Sequence, residues 1–250
     1  MDNPKISVVT VVYNSKALIE NTVKSIINQS YNHIEYIVVD GGSTDGTIDI
    51  LNSYKKNIST LISEPDHGIY DAMNKGISLA TGDFVVFINS GDKFSSDDIL
   101  EKIFSNPEAA SADVVYGDTD ITDSEGNIIH SRRHRPPERL NWKSFKRGML
   151  VCHQSFIARR NLVESYNLNY RYAADFDWCI RILKKSKSVY NSRQVISLFL
   201  EGGQTRKTIV PGLKERFKIM RHHYGLISAI YRNIILGVRF TWFVIRHRWF

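Results

Sequence analysis

The chain has 250 residues, 42% apolar and 24% charged, a composition typical of a folded globular protein that can bury a full core as one large domain, with or without an appendage. Two cysteines are too few for a disulfide framework and lack zinc-site spacing, and the N-terminus has no basic segment leading into a long apolar stretch; we therefore expect a reducing compartment and no signal peptide. The net charge of +7 lies entirely within residues 212–250, which argues against a nucleic-acid surface spread over the fold.

The first 112 residues alternate between apolar, β-branched runs and amphipathic helical patterns. This alternation predicts a mostly parallel sheet with right-handed crossovers, flanked by helices. In such a sheet, ligands bind at the carboxyl ends of the strands. The predicted strands are residues 5–12, 35–40, 59–65 and 83–89, and the predicted helices begin near residues 18, 47, 69 and 95.

The alternation loosens after residue 112. Two strands joined at residues 125–127 predict a smaller antiparallel excursion. Residues 131–139 form a basic, proline-containing loop with few aromatic residues, which we interpret as a mobile loop and not as a base-stacking surface. Further along, we predict a short helix near 141–148, a strand at 151–158, a helix at 175–186, and one or two strands at 188–200.

The last segment, 211–250, is predicted to be a basic amphipathic helical tail that starts near Pro211. It contains eight Lys or Arg residues and one acid, Glu215. At 100° per residue, a narrow polar line runs along an otherwise apolar helix, which favours a helix lying in an anionic membrane surface. The alternative is a terminal helix packed on the sheet or on a second copy of the chain. The polar line consists of Lys214, Arg221, Ser228, Arg232, Arg239 and Arg246.

Two acids follow strand ends on the same predicted edge of the sheet. Asp40 precedes two glycines, which permits close approach of a flat ligand, although the same residues also suit a plain helix-capping turn. Asp92 follows the fourth strand, and a hydrated divalent cation needs only one or two protein carboxylates when the substrate supplies phosphate oxygens. The first βα turn, residues 13–15, has no glycine, which disfavours a dinucleotide site. Together, the two acids favour a metal–nucleotide site over two plain turns.

The second half offers three further candidates. Asp175 begins a predicted helix after an aromatic and small-residue stretch, where it can act as a general base toward a sugar hydroxyl or simply cap the helix. His153 either lines an acceptor pocket or is a core histidine with its hydrogen bonds satisfied. Residues 202–205, Gly-Gly-Gln-Thr, form either a loop that closes over a ligand or an ordinary connection.

Taken in order, these segments resemble the family 2 glycosyltransferases with the GT-A fold. The similar segments cover roughly residues 4–206, and the shared order is more specific than any one segment. The turn "NSGD" and the helix "GIYDAMNKG" are similar to those of bacterial surface-polysaccharide transferases. The matching segments are ISVVTVVYNSKALIENTVKSIINQSY (6–31), VVDGGSTDGT (38–47), EPDHGIYDAMNKGISLATGDFVVFINSGD (64–92), AADFDWCIRI (173–182) and EGGQT (201–205).

The resemblance implies an inverting transfer of sugar from a nucleotide-sugar, most simply a UDP-sugar, to a saccharide or lipid-linked acceptor. It implies that Asp92 binds Mg²⁺ or Mn²⁺, that Asp175 is the base, and that the enzyme lies in the cytoplasm on the inner face of the membrane. The expected domain spans 1–210, with a nucleotide-binding half to about 112 and an acceptor half from about 113. The implied donor-binding residues are Val11, Tyr13, Asp40, Asp66, Asn74 and Gly91, and the implied acceptor or lid residues are His153, Gly202, Gly203 and Thr205.

Three motifs depart from the usual family pattern. Gly41 stands where a second acid is common, Asn89 and Gly91 leave Asp92 as the lone acid of its turn, and Ala174 precedes the base. A non-catalytic nucleotide-sugar or membrane-binding module is therefore one alternative. Nucleotidyl transfer to a sugar phosphate is another, although the glycine-rich basic loop it normally needs after the first strand is missing here.

Overall fold

The computed structural model describes residues 3–202 and 209–247 of the chain. Its first part confirms the predicted alternation of strands and helices. Strands β1 and β4 are buried at every position, which explains their unbroken apolar sequences. The elements are β1 (Ile6–Val12), α1 (Ile19–Ile27), β2 (Ile34–Asp40), α2 (Thr47–Ser53), β3 (Thr60–Ser63), α3 (Ile69–Leu79), β4 (Phe84–Phe87), β5 (Lys93–Phe94), α4 (Ile99–Phe104) and α5 (Pro107–Ser111).

The second part contains the expected antiparallel hairpin and differs from the prediction in one strand. The hairpin is β6 with β7, but the strand predicted at 151–158 begins only at Phe156, because His153–Ser155 form a 3₁₀ turn. The elements are β6 (Val114–Thr122), β7 (Ile128–Ser131), β8 (Phe156–Arg159), α6 (Ala174–Lys185) and β9 (Val189–Leu200), with 3₁₀ turns at Trp142–Arg147, His153–Ser155 and Arg160–Leu162.

All these strands join one mixed sheet in the order β3-β2-β1-β4-β8-β6-β9-β5, with β7 pairing β6. Strands β1 to β4 are parallel, whereas β8 runs antiparallel to both β4 and β6. Helices α1 and α4 pack on one face of the sheet, and α3 and α6 pack on the other. The carboxyl ends of β1, β2 and β4 therefore meet at one edge, as the predicted α/β fold requires.

The predicted tail consists of two helices, α7 (Ile209–Tyr224) and α8 (Leu226–His247). The expectation of one continuous helix is wrong, because Gly225 adopts φ +82° and its N–H bonds to the carbonyl of Arg221, which ends α7. Ile219 and Met220 of α7 are buried in the core, so this helix packs on the domain. Within the described ranges, no helix is both long and apolar enough to cross a membrane. The boundary predicted at residue 210 stays a prediction.

Candidate active site

The turn after β2 is built around the carboxylate of Asp40, which is fully buried. One oxygen accepts hydrogen bonds from the backbone N–H groups of Gly42 and Ser43 at 3.2 and 3.0 Å and from the Ser63 hydroxyl at 2.6 Å. The other oxygen accepts from the Ser43 hydroxyl. The Asp40 carboxylate therefore fixes the backbone of this turn at the edge of the sheet, through hydrogen bonds within the turn and to Ser63 of β3.

Beside this turn, Gly41 leaves a space that the carboxylate of Asp66 fills. A Cβ at position 41 would collide with Asp66 Oδ2 and would lie 3.4 Å from the ring of Tyr13. The other Asp66 oxygen accepts from the backbone N–H of Gly68 at 2.7 Å, which fixes the carboxylate in place. The Tyr13 ring is 64% exposed. An acid does lie next to position 41, but Asp66 supplies it from a different segment.

Asp92, in the turn after β4, is only 5% exposed. Its Oδ2 accepts from the amide of Gln154 at 2.6 Å, and its Oδ1 accepts from the backbone N–H of Leu200 at 3.2 Å. Burial raises the pKa of Asp92 to about 6, because desolvation of the carboxylate outweighs these bonds and the nearby His153. A nearby positive charge would therefore stabilise the ionised form of the Asp92 carboxylate.

Two polar oxygens beside Asp92 make the site suitable for a cation. Asn89 Oδ1 and Ser90 Oγ are buried and have no hydrogen-bond partner among the described residues. Carboxylate, amide and hydroxyl oxygens are the ligands that Mg²⁺ and similar hard cations prefer. Within residues 3–202 and 209–247, no group of three or more His, Cys, Asp or Glu side chains could hold a metal ion. A divalent cation at Asp92 would therefore need further ligands from a substrate.

Asp175 lies in the first turn of α6, with 19% of its side chain exposed. Its Oδ1 accepts from the Tyr70 hydroxyl at 3.2 Å, and its Oδ2 lies 3.5 Å from His153 Nδ1. Burial would raise the pKa of this carboxyl, but the hydrogen bond and charge of His153, together with the charge of Arg216, outweigh it and hold the pKa below its ordinary value. Asp175 is therefore ionised at neutral pH and able to accept a proton.

Two consecutive residues connect these carboxylates. Gln154 donates to Asp92, whereas His153 faces Asp175. The amide nitrogen of Asn89 lies 3.2 Å from His153 Nε2, the ring nitrogen that does not face Asp175. The 3₁₀ turn that replaces the first part of the predicted strand thus brings Asp92 and Asp175 to one site. His153 itself lies between Asn89 and Asp175, and its acceptor role stays a prediction.

The sequence profile described as "Glycosyl transferase family 2" matches residues 7–166, more than half of the chain. The chain belongs to glycosyl transferase family 2. A "PGL/p-HBAD biosynthesis glycosyltransferase" of Mycobacterium bovis (strain BCG / Pasteur 1173P2) is 33% identical over 220 residues, covering 84% of this chain and 82% of that protein. The "putative teichuronic acid biosynthesis glycosyltransferase TuaG" of Bacillus subtilis (strain 168) is 30% identical over 197 residues, 78% of each chain. This chain is therefore a family 2 glycosyltransferase.

Solved structures of low sequence identity share its fold. The S. aureus TarS fragment 1–349 in complex with UDP-GlcNAc aligns with a TM-score of 0.70 at 18% identity, over 87% of this chain and 64% of that one. The mannosyltransferase PcManGT of Pyrobaculum calidifontis, in complex with GDP-Man and Mn²⁺, aligns with a TM-score of 0.62 at 16% identity, over 95% of this chain and 76% of that one. Together with the family assignment, these similarities confirm the predicted GT-A fold.

The other donor residues implied by the family resemblance differ in how free they are to contact a ligand. Val11 is buried, and its carbonyl accepts from the backbone N–H of Ser90. Gly91 adopts φ +96°, a conformation that favours glycine. Both groups of the Asn74 amide bond to the backbone of Tyr166, at 3.0 and 2.6 Å, so Asn74 joins α3 to the acceptor half. The donor contacts of these residues stay predictions.

The predicted lid begins next to the predicted metal ligand. Leu200, whose N–H bonds to Asp92, ends β9, and exposed Gly202 follows with φ +94°. Gly203 and Thr205 lie outside the described residues. The lid role therefore stays a prediction, although its first described residues start beside Asp92.

Helix α7 contributes two residues that the sequence reasoning missed. Glu215 accepts hydrogen bonds from the backbone N–H groups of Arg171, Tyr172 and Ala173, at 2.9, 2.8 and 3.0 Å. These three residues lead directly into the first turn of α6, which carries Asp175. The neighbouring Arg216 contributes the positive charge described above. Glu215 was visible only as the lone acid of a basic segment, a signal that gave no hint of its partner.

A second contact ties α7 to α6 on the side away from Asp175. Asp177 accepts from Arg181 Nε at 2.7 Å and lies 2.7 Å from His223 Nε2. Burial would raise the pKa of Asp177, but these two partners lower it below its ordinary value. Asp177 thus anchors α7, while Asp175, two residues earlier, faces Tyr70 and His153.

Proposed function

We propose that the protein transfers a sugar from a nucleoside-diphosphate sugar to a hydroxyl of a saccharide or lipid-linked saccharide, with inversion at the anomeric carbon. The observation that carries this proposal is the pairing of Asp92 with Asp175 through consecutive residues. One buried carboxylate with an elevated pKa lies beside unpartnered oxygens, and the other has a lowered pKa and is partly exposed. Two acids whose environments shift their pKa values in opposite directions are suited to different roles in one reaction.

The donor end of the site would hold a divalent cation, Mg²⁺ or Mn²⁺. Asp92 and the buried oxygen of Asn89 are the residues that would bind it, since both offer hard oxygen ligands. When bound, the cation would offset negative charge on the leaving nucleoside diphosphate. Gln154 and the backbone of Leu200 hold the Asp92 carboxylate in position for this role.

The acceptor end would use Asp175 as general base. An ionised carboxylate within hydrogen-bond reach of a hydroxyl can take its proton as the new glycosidic bond forms. Tyr70 and His153 orient the two oxygens, and His153 and Arg216 keep the carboxylate ionised. A single displacement of this kind inverts the configuration at the reacting carbon.

The donor is proposed to be a UDP-sugar. Tyr13 presents an exposed ring beside Gly41 and the fixed carboxylate of Asp66, a combination suited to stacking and hydrogen bonding with a flat base. The TarS fragment that shares this fold is described in complex with UDP-GlcNAc. The two curated relatives are named for PGL/p-HBAD and teichuronic acid biosynthesis, which supports a role in making a surface polysaccharide or glycoconjugate.

The enzyme is proposed to act on the inner face of the cytoplasmic membrane. One face of α8 carries exposed apolar side chains that a bilayer surface would cover. The net charge of +7 in residues 212–250 attracts this part of the chain toward an anionic membrane surface. The exposed apolar residues are Leu226, Ile227, Ile230, Tyr231 and Ile234.

The direct test is turnover of a panel of nucleotide-sugars with and without Mn²⁺, measured as release of the nucleoside diphosphate. We expect release from at least one UDP-sugar, stimulated by Mn²⁺. Tight binding of a UDP-sugar without any release, in the presence of short saccharide acceptors and Mn²⁺, would contradict the proposal and favour a non-catalytic binding module.

A further inference from the structure

A cleft lined mainly by basic residues lies between the segment 137–150 and helix α8. Its volume is about 380 Å³, within the range of small-ligand sites. None of the described residues that line the cleft is acidic. We call it the basic cleft, and its charged and apolar walls include Arg139, Lys143, Lys146, Arg147, Leu150 and Arg232.

The five cations of the basic cleft are not neutralised by the protein. None of them forms an ion pair with a carboxylate among the described residues, and Arg139 and Arg147 are exposed. Lys143 instead lies over the ring of Trp142, and Lys146 lies over the ring of Tyr224. Cations gathered at one concave surface repel one another, so an anion that binds them all is favoured. Arginine forks match phosphate oxygens in particular.

The basic cleft is close to the catalytic carboxylate. Phe145, in the same 3₁₀ turn as three of the cations, packs against Phe176, the residue after Asp175, with ring centroids 5.7 Å apart. Leu150 of the cleft wall is three residues before His153, so their Cα atoms are separated by about 11 Å at most. The cleft and the acceptor side of the site are therefore neighbours, separated by the buried rings of Phe145 and Phe176.

We propose that the basic cleft binds the phosphate or diphosphate group of the acceptor. This inference rests on the proposed function, because it names the anionic part of the acceptor whose sugar hydroxyl would meet Asp175. A diphosphate offers several oxygens, and five cations contributed by two separate segments suit a multivalent anion better than a single carboxylate.

The same chemistry is present in phospholipid headgroups, but the geometry of α8 favours the acceptor. The exposed apolar residues Ile227, Ile230, Tyr231 and Ile234 lie on one side of the helix. At 100° per residue, Arg232 lies about 150° around the axis from the centre of that face. A bilayer that covered the apolar face would meet the side of α8 opposite the basic cleft.

The test is lysine footprinting with inorganic pyrophosphate, without divalent cations and at constant ionic strength. Acetylation of Lys143 and Lys146 is followed by mass spectrometry, with Lys55 and Lys56 as internal controls because both are exposed and distant from the cleft. We expect pyrophosphate to slow acetylation of Lys143 and Lys146 at least fivefold and to leave the two controls unchanged. Equal protection of all four lysines would overturn the proposal.

Two variants make the result specific. Arg139→Gln with Arg147→Gln should raise the pyrophosphate concentration needed for protection at least tenfold, because both side chains lie in the cleft without partners. The matched control, Lys55→Gln with Lys56→Gln, removes the same charge elsewhere and should leave the protection of Lys143 and Lys146 by pyrophosphate unchanged. Unaltered protection in the double arginine variant would refute the assignment.

Binding to lipid vesicles distinguishes the phosphate of an acceptor from that of phospholipid headgroups. Co-sedimentation with phosphatidylglycerol vesicles should be the same within twofold for the wild type and the double arginine variant. Loss of vesicle binding together with unaltered protection by pyrophosphate would assign the cleft to lipid headgroups and overturn the acceptor role. Failure of the proposed function would show instead as no nucleoside diphosphate release from the wild type, whatever the footprint.

Discussion

The two sides of the site are built in different ways. The edge formed by β1, β2 and β4 carries Asp40 at the end of β2 and Asp92 in the turn after β4, so the backbone positions of both follow from local sequence, although Gln154 and Leu200 hold the Asp92 carboxylate from later segments. Asp175 depends on contacts far along the chain, such as Tyr70, His153 and the Glu215 contacts that precede it. The backbone of the proposed donor side is therefore set by the sheet, whereas the proposed acceptor side depends mainly on side-chain contacts between distant segments.

Two helical glycines test how tightly each region is packed. A methyl group at Gly76 in α3 would collide with Val9 in the core, whereas a methyl group at Gly237 in α8 would meet no described atom within 4 Å. Alanine at either position gains about 1 kcal/mol of helix propensity, but only the first also overpacks the core, at a cost of about 1–3 kcal/mol. Gly76→Ala should thus unfold at lower urea than Gly237→Ala. Equal midpoints would contradict the packing described for α3.

The Glu215 contact tests whether α7 belongs to the catalytic structure. Glu215→Gln leaves one carbonyl oxygen for three N–H groups and removes the charge that strengthens them. We expect kcat to fall about tenfold, which corresponds to about 1.4 kcal/mol in the activation free energy. The KM for the donor should change little, because only the segment leading to Asp175 is loosened.

Glu125→Gln, in an exposed turn, is the matched control and should retain wild-type kcat. A Glu215→Gln enzyme with normal kcat would show that α7 does not position Asp175. A parallel fall in kcat and rise in donor KM would indicate a general loss of structure instead.

The pH dependence tests the role of His153. Asp175 must be ionised to accept a proton, so activity is lost as the pH falls through its pKa. His153 helps to hold that pKa below its ordinary value, against burial, which raises it. His153 also lowers the pKa of Asp92, so in His153→Gln the pKa of both carboxyls should rise, and the acid limb of the kcat/KM profile should move to higher pH.

His130→Gln changes an exposed histidine of β7 and should leave the profile in place. An acid limb that stays fixed in His153→Gln, or that moves to lower pH, would contradict the assignment.

Sequence alone predicted much of the donor side, because buried parallel strands have an unmistakable apolar pattern and their carboxyl ends share an edge. The family motif order added Asp175, which periodicity could not assign to a site. The 3₁₀ turn His153–Ser155 was mistaken for a strand, since its neighbours are apolar and its cause, the Gln154 bond to Asp92, is tertiary. The break at Gly225 was readable from the sequence, but the partners of Glu215 were not, because they lie more than 40 residues away.

Asp92 is proposed to hold the donor through a cation while Asp175 serves the acceptor. Calorimetric titration of the UDP-sugar turned over by the wild type, in Mn²⁺, into Asp92→Asn and Asp175→Asn tests it most directly. Donor affinity should fall more than tenfold in Asp92→Asn and stay within about twofold in Asp175→Asn, since only the first removes a metal ligand. Equal affinities in the two variants, or a loss confined to Asp175→Asn, would contradict the account.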